Sequence, residues 1–118
     1  MTNIQQLRKG STPVLILSVL ASGNKHGYAI MRELEERSGG YFSMTAALLY
    51  PTLHQMEQDG LLTSAWEESS GLRKRKVYSI TPKGRDNLAK GQAEWQQFVE
   101  KLASTISGSK NSLGSETK

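Results

Sequence analysis

The chain has 118 residues, a length that suits one domain with a modest hydrophobic core and is too short for two. Lysine and arginine outnumber aspartate and glutamate by 15 to 11, and the resulting net charge of +4 favours a polyanionic partner. Cysteine is absent, which excludes disulfide scaffolds, thiolate nucleophiles and cysteine-ligated metal sites and agrees with a reducing compartment.

The first predicted helix covers residues 13–21, where almost every residue is apolar. Thr12 suits the N-cap and Pro13 suits the first helical position, while Ile4 and Leu7 could extend the helix toward the N-terminus. The apolar run is far too short to cross a membrane, and no signal-peptide cleavage site follows it. We therefore expect a soluble, cytoplasmic protein whose first helix is buried on most faces.

A second helix is predicted from apolar residues at helical spacing. Tyr28, Met31 and Leu34 recur on one face, and the pattern stops at the Gly39-Gly40 pair. Because Tyr28 shares its face with Met31 and Leu34, we expect its ring in the core rather than at a binding surface.

A third helix is predicted to begin after Ser43, a suitable N-cap, and to end at Gly60. Pro51 breaks a local rule in this segment, because proline removes a helical hydrogen bond. Either the helix is kinked at Pro51, or it begins nearer Tyr50. The apolar stripe of this helix consists of Leu49, Leu53 and Met56.

A β-hairpin is predicted next. Apolar, β-branched and aromatic residues alternate with others over 61–66 and again over 76–80, and residues 68–71 between them have turn chemistry. Trp66 and Tyr78 are expected to pack as a cross-strand pair rather than to form a binding platform.

The final predicted helix is capped by Thr81, with Pro82 at its first position, and residues 107–118 are expected to form a disordered tail. One face of this helix has more apolar surface than a domain of this size can cover, so we expect a homodimer with a second copy on that face. Ile4 and Leu7 could close the same interface. The apolar stripe consists of Leu88, Trp95, Phe98, Val99, Leu102 and Ile106.

Trp95 carries a second hypothesis. An indole near a two-fold axis is duplicated, so the two rings could sandwich a planar aromatic effector, with Phe98 and Leu7 beside it. The alternative is that Trp95 is only an anchor of the dimer core.

The order of three helices and a hairpin is that of a winged helix-turn-helix, in which the third helix enters the major groove and the hairpin flanks it. The predicted fold class is mainly α with a small β-hairpin. The predicted organisation is a DNA-binding domain over residues 1–81, a dimerisation helix over residues 82–106 and the tail over residues 107–118.

The outward face of the third helix carries no charge, although an ordinary exposed face is charged. Small and apolar side chains can contact thymine methyls, and histidine and glutamine can hydrogen-bond base edges or phosphates. The alternative is a face covered by another part of the fold or by a partner. The residues on this face are Met44, Ala47, Leu48, Tyr50, Pro51, His54, Gln55 and Gln58.

Four basic residues, Arg73, Lys74, Arg75 and Lys76, leave the predicted hairpin turn together without an acidic residue among them. A charge run is often only a solvated face. Beside a recognition helix, however, it predicts a wing that binds the phosphates of double-stranded DNA.

Several short motifs in a fixed order resemble the PadR-like transcriptional regulators. The likeness runs from about residue 15 to residue 84 and continues into a single terminal helix, as in the short subfamily. The motifs are His26-Gly27-Tyr28, Leu49-Tyr50-Pro51 with Leu53, Met56-Glu57, Asp59-Gly60-Leu61, and the run from Tyr78 through Ser79, Ile80, Thr81, Pro82 and Lys83 to Gly84.

The resemblance implies a winged-helix repressor that dimerises through its C-terminal helix and binds a pseudo-palindromic operator. In many members a small aromatic or toxic compound releases the operator. It also implies that Tyr50 and His54 lie near DNA, and that the His26-Gly27 segment lies near a phosphate at a helix N-terminus. Leu48 stands where the family usually has a small or hydroxyl residue, so base preference at that position is not transferred.

Catalysis is not expected. The two histidines, His26 and His54, lack metal-ligand spacing, and acidic residues such as Glu33, Glu35 and Glu36 lie at solvent positions of a helix. We expect no catalytic residues, cofactor, metal or membrane contact. The rival function is a winged-helix module that binds a protein partner on the uncharged helix face without effector control; the basic wing favours DNA.

Overall fold

The computed structural model describes residues 3–67 and 74–108. In these residues four helices accompany an antiparallel three-stranded sheet with the order β1-β3-β2, which confirms a mainly α fold with a small hairpin. The chain divides into two compact units, Met1–Leu88 and Ala89–Lys118. The elements are α1 (Asn3–Leu20), β1 (Lys25–His26), α2 (Gly27–Arg37), α3 (Ala46–Gln58), β2 (Leu62–Glu67), β3 (Arg75–Ile80) and α4 (Pro82–Ser107).

The core of the first unit is mainly aliphatic and is built by α1, α2, α3 and the sheet. Each such side chain contributes about 1.5 to 3 kcal/mol when it is removed from water, so these residues fix the positions of the helices. The buried hydrophobic residues are Ile16, Leu17, Val19, Leu20, Ile30, Leu34, Leu49, Leu53, Met56, Leu61, Leu62 and Tyr78.

Helix α1 begins at Asn3, so the predicted N-cap at Thr12 is wrong. Thr12 is buried, and its hydroxyl donates to the Arg8 carbonyl oxygen at 3.1 Å, one turn back in the same helix. Threonine can bond backward inside a helix as well as cap one, and the sequence does not distinguish the two uses. Pro13 lies inside the helix, and the backward extension through Ile4 and Leu7 is confirmed.

Helix α2 buries Ile30 and Leu34, whereas Tyr28 is 63% exposed, so the predicted core position of Tyr28 is wrong. At about 100° per residue, Tyr28 lies some 200° around the helix from Ile30 and faces away from the core. Met31 is half-buried against the core. The spacing was helical as predicted, but the buried face is centred on Ile30 rather than on Tyr28.

Helix α3 begins two residues later than predicted. Thr45 is its N-cap and accepts from the Leu48 amide at 3.2 Å, so Ser43 is not the cap. Met44 therefore precedes the helix, is half-buried and packs against the core instead of lying on the outward face. Pro51 lies inside the helix, and a start near Tyr50 is wrong.

The hairpin pairs β2 with β3 over the predicted segments, and the two-residue strand β1 adds to the other edge of β3. Trp66 is 63% exposed, whereas Tyr78 is buried, so the predicted packed pair is wrong for Trp66. Along β2 only Leu62 is fully buried, because the strand leaves the core toward the hairpin tip. The predicted turn at residues 68–71 lies outside the described residues.

Helix α4 is capped as predicted: the Gly84 amide donates to the Thr81 hydroxyl oxygen at 2.9 Å. The same hydroxyl donates to the Gly60 carbonyl oxygen at 2.7 Å, which joins the start of α4 to the end of α3. Leu88 packs against the core of the first unit. The helix ends at Ser107, and residues 109–118 of the predicted tail lie outside the described part of the chain.

Candidate nucleic-acid interface

The outward face of α3 is exposed and uncharged, as predicted. Its opposite face is held by Leu49, Leu53 and Met56, all buried, so the exposed side chains stand on a fixed helix. Gln55 donates to the Asp59 carboxylate at 3.1 Å, one turn further along. The exposed residues are Ala47, Leu48, Tyr50, Pro51, His54, Gln55 and Gln58.

Tyr50 connects α3 to the N-terminus of α2. Its ring lies directly over Gly27, where an added Cβ would stand 2.5 Å from the Tyr50 hydroxyl oxygen and 2.7 Å from the ring. Only glycine allows this approach, because such a distance is far below van der Waals contact. Gly27 thus brings the start of α2 and the outward face of α3 together.

His26 lies at the N-cap of α2 with an extended backbone, but its side chain does not cap the helix. Its Nε2 lies 2.7 Å from the Glu67 carboxylate at the end of β2. A carboxylate only accepts, so Nε2 carries the proton in this contact. The residue predicted near a phosphate therefore links α2 to the hairpin.

A groove of about 690 Å³ lies between the N-terminus of α2, the outward face of α3 and the hairpin. No carboxylate is among the described residues that line it, although the lining residue His26 contacts the Glu67 carboxylate. Trp66 is one of the exposed aromatic rings in this groove, and the Nζ of Lys76 lies 5.6 Å from the centroid of its ring. The lining consists of His26, Gly27, Tyr28, Tyr50, Trp66, Lys74, Arg75, Lys76 and Tyr78.

Tyr28 and Trp66 are the residues of this groove that the sequence reasoning missed, since both were expected to be packed. The signal for Tyr28 is the helical period: a buried face of α2 centred on Ile30 and Leu34 predicts that Tyr28 faces away from the core. For Trp66 the signal was its place beside the basic run, because Trp66 is the register partner of Lys76.

The described part of the basic run, Lys74 to Lys76, leads into β3, and a carboxylate lies beside it. Lys74 and Arg75 are exposed, and Arg73 lies outside the described residues. Strand pairing also sets Glu67 opposite Arg75, which brings a carboxylate beside a cluster that has none in its own sequence. The positive field of the wing is reduced accordingly.

Two ionisable residues of the first unit have pKa values that are shifted by their surroundings. Hydrogen bonds from Arg37 and Lys25 lower the pKa of Glu33, which lies 2.6 Å and 3.2 Å from these cations. Burial raises the pKa of the Tyr78 phenol, and the Glu57 charge raises it further. Tyr78 is therefore neutral at physiological pH. Glu33 is ionised and forms an ion pair with Lys25 of β1.

In the second unit, α4 presents the predicted apolar stripe. Trp95 is half-buried and meets the Phe98 ring edge-to-face at 5.6 Å between centroids. Phe98, Val99, Leu102 and Ile106 are all exposed. In the first unit Ile4 is exposed and Leu7 half-buried.

Two classes of site receive no support from the described residues. Over residues 3–67 and 74–108, no group of three or more histidine and acidic side chains could hold a metal ion. No helix in that part of the chain is both long and apolar enough to cross a membrane.

Comparisons with known proteins agree on one family. The family model described as "Transcriptional regulator PadR-like family" matches residues 16–90. Transcriptional regulator Rv3488 of Mycobacterium tuberculosis is 32% identical over 105 residues, which are 89% of this chain and 91% of that protein. These relatives are transcriptional regulators rather than enzymes.

Solved structures of the family have the same fold. The PadR family regulator of Eggerthella lenta has a TM-score of 0.77 and 29% identity over 87% of this chain and 88% of its own. The negative transcriptional regulator PadR of Bacillus subtilis is 27% identical over 73 residues, 62% of this chain and 40% of that protein. Its structure in complex with operator DNA has a TM-score of 0.62 and 25% identity, covering 67% of this chain and 44% of that one.

Proposed function

Because the chain belongs to the PadR-like family of transcriptional regulators, we propose that it binds an operator in double-stranded DNA with α3 in the major groove and the β2–β3 hairpin on the phosphates. One observation carries the proposal: an exposed, uncharged helix face adjoins a groove lined by cations and exposed aromatic rings, and the described residues of its lining include no carboxylate. The operator-bound structure of Bacillus subtilis PadR supports the same use of the fold.

The exposed side chains divide by chemistry. Ala47 and Leu48 present methyl groups suited to thymine, while His54, Gln55 and Gln58 present hydrogen-bonding groups suited to base edges. Gln55 would exchange its bond to the Asp59 carboxylate for one to a base. Met44 takes no part in this proposal because it is half-buried against the core.

Phosphate contacts come from the other side of the groove. Lys74, Arg75 and Lys76, together with Arg73 outside the described residues, would displace condensed counterions and supply affinity without sequence choice. His26 would contribute through the N-terminus of α2, whose amides and dipole favour an anion.

The regulator is proposed to act as a homodimer on a pseudo-palindromic operator. The exposed stripe Phe98, Val99, Leu102 and Ile106 would meet its copy, with Trp95 beside it. Ile4 and Leu7 are proposed to contribute from α1. Leu88 was expected in this interface, but its side chain already packs against the core of its own chain.

Repression in the cytoplasm, relieved by a small aromatic or toxic compound, completes the proposal. The Bacillus subtilis relative is a negative transcriptional regulator, which supports repression. The Trp95–Phe98 edge-to-face pair offers the aromatic surface on which a planar compound could stack.

Selection of bound fragments from random double-stranded DNA tests the core of this proposal. We expect enrichment of two inverted half-sites whose centres lie about 10 base pairs, or a multiple, apart. Affinity for the selected site should fall steeply with salt, because counterions are released on binding. Absence of enrichment, with binding insensitive to salt, would favour the rival function of a protein-binding module.

A further inference from the structure

A second cavity, of about 250 Å³, lies within the first unit between α1 and the segment that joins α2 to α3. It shares only α3 with the groove described above, through Leu48 rather than Tyr50. Its apolar walls include Leu15, Phe42 and Met44. A volume somewhat below the range of drug-sized pockets suits a small compact molecule.

Two cations stand at this cavity. Arg8 and Lys9 are both exposed and line it, and the lining residues that the structure describes include no acidic side chain. Within residues 3–67 and 74–108, neither cation has a carboxylate within 4.0 Å. The Arg8 guanidinium instead lies 4.5 Å from the centroid of the Tyr41 ring, which holds it beside the opening.

We propose that this cavity binds a small organic anion, an apolar carboxylate whose body lies among Leu15, Met44 and Leu48 and whose carboxylate is bound by Arg8 and Lys9. Apolar walls favour a hydrocarbon or aromatic body, and a guanidinium and an ammonium without acidic partners favour an anion through charge-assisted hydrogen bonds. A neutral molecule of the same shape would contact the apolar walls but would form no charge-assisted hydrogen bond with Arg8 or Lys9.

The position of the cavity gives its occupant a route to α3. Met44 and Leu48 line the cavity on either side of Thr45, the N-cap of α3. A bound anion that holds Met44 and Leu48 therefore favours one placement of the first turn of α3. This coupling, unlike the binding itself, rests on the proposed DNA-binding function, because its readout is operator affinity.

The binding is tested by calorimetric titration of the full chain with octanoate and 1-naphthoate, each compared with its uncharged amide. Octanoate and 1-naphthoate each carry a carboxylate on an apolar body. The acid that binds more tightly shows whether the site prefers an aliphatic or an aromatic body. The variant Arg8→Gln/Lys9→Gln should weaken binding of the acids about 10- to 100-fold, which corresponds to a hydrogen bond to a charged group. Its affinity for the amides should not change.

Two further variants make the result decisive. Ser43→Phe places a ring at the cavity wall and should abolish binding of acid and amide alike, with folding checked by circular dichroism. Lys90→Gln/Lys101→Gln removes the same charge from α4 and should leave binding unchanged. Failure of both acids to bind, or equal losses in the Arg8/Lys9 and Lys90/Lys101 variants, would overturn the site.

The coupling is tested by a separate experiment. A saturating concentration of the preferred acid should change operator affinity by at least fivefold in the parent chain and leave it unchanged in Ser43→Phe. Unchanged operator affinity in the parent would overturn the coupling alone. Since the titrations contain no DNA, a failure of the proposed DNA binding would not be mistaken for a failure of the site.

Discussion

The exposed faces of α3 and α4 differ in what lies behind them. The outward face of α3 is backed by Leu49, Leu53 and Met56 in the core, so its side chains are held in place before any ligand arrives. Along α4 only Gly84 is fully buried, and its apolar residues Phe98 and Leu102 are exposed. The face of α3 is suited to recognition by a fixed scaffold, whereas the face of α4 is the one that the proposed dimer would cover.

The sharpest way to break this comparison is to charge the α4 stripe. Trp95→Glu/Phe98→Glu should convert dimers into monomers, because four like charges would be buried across one symmetric interface. Operator affinity should fall by orders of magnitude, since each monomer binds only a half-site. Sedimentation equilibrium measures the mass, and fluorescence anisotropy with labelled operator measures the affinity.

The matched control is Gln97→Glu/Ser104→Glu, which adds the same charge on the other side of α4, about 180° from Trp95. This variant should remain dimeric. Dimer mass in the Trp95/Phe98 variant would show that α4 is not the covered face and would remove the contrast with α3.

The next effect concerns the phosphates beside α3. Lys74→Ala/Arg75→Ala/Lys76→Ala should weaken specific and nonspecific DNA binding together and reduce the slope of log affinity against log salt by up to about 2.7, which is 0.9 for each lost phosphate contact. Selectivity among sequences should survive. Arg85→Ala/Lys90→Ala/Lys101→Ala removes three cations of α4 and should leave the slope nearly unchanged. Equal slopes in the two variants would show that the basic residues of the wing are only an ordinary solvated surface.

A smaller effect tests whether the α3 face is held in place. Gly27→Ala drives a methyl group into the Tyr50 ring and should reduce stability by about 1 to 3 kcal/mol and weaken operator binding. Tyr50→Ala in the same chain should restore the stability but not the binding. Gly10→Ala is the control, because nothing lies within 4 Å of its added Cβ and an α-helix favours alanine by about 1 kcal/mol.

Thermal and chemical unfolding measure these stabilities. A Gly27→Ala chain as stable as its parent, with operator affinity intact, would show that Tyr50 moves aside without cost. The outward face of α3 would then be as adaptable as any exposed helix.

Much of this architecture was predictable, and the misses have physical causes. Periodicity found the four helices that the structure describes because burial repeats with the helical turn, as at Leu49 and Leu53. It placed Thr12 and Ser43 wrongly because a hydroxyl can cap a helix, bond backward or do neither, and the sequence alone does not choose. Strand β1 was missed because two residues carry no period.

The candidate site was predicted in part. The uncharged face of α3 and the basic run were found from composition and order alone. The approach of Tyr50 to Gly27 and the contact of His26 with Glu67 join residues 23 and 41 positions apart in the chain, and only the tertiary fold brings them together. The exposure of Tyr28 and Trp66 was missed because large aromatic residues are usually buried.

The smallest predicted effect concerns the ion cluster that joins β1 to α2 and so positions the glycine beneath Tyr50. The Glu33 carboxylate lies 3.2 Å from Lys25 and 2.6 Å from Arg37, and hydrogen bonds from these cations lower its pKa below the usual 4.5. A carboxylate with a lowered pKa in the folded state contributes stability above its unfolded pKa, and that stability is lost as the pH falls through the folded pKa. Glu33→Gln should therefore lower the free energy of unfolding near pH 7 by less than about 1 kcal/mol, as is usual for ion pairs near the surface.

The difference between Glu33→Gln and its parent should shrink as the pH falls from 4.5 through the lowered pKa of the folded state, because the folded parent carboxylate then becomes protonated as well. Glu36→Gln is the matched variant on the same helix: its partner Arg32 lies 3.5 Å away, and both side chains are more than half exposed, so its effect should be smaller still. Urea unfolding at pH 3, 4, 5 and 7 measures all three chains. If Glu33→Gln and Glu36→Gln lose the same stability at every pH, the cluster does not hold β1 to α2, and the position of Tyr50 depends on the core alone.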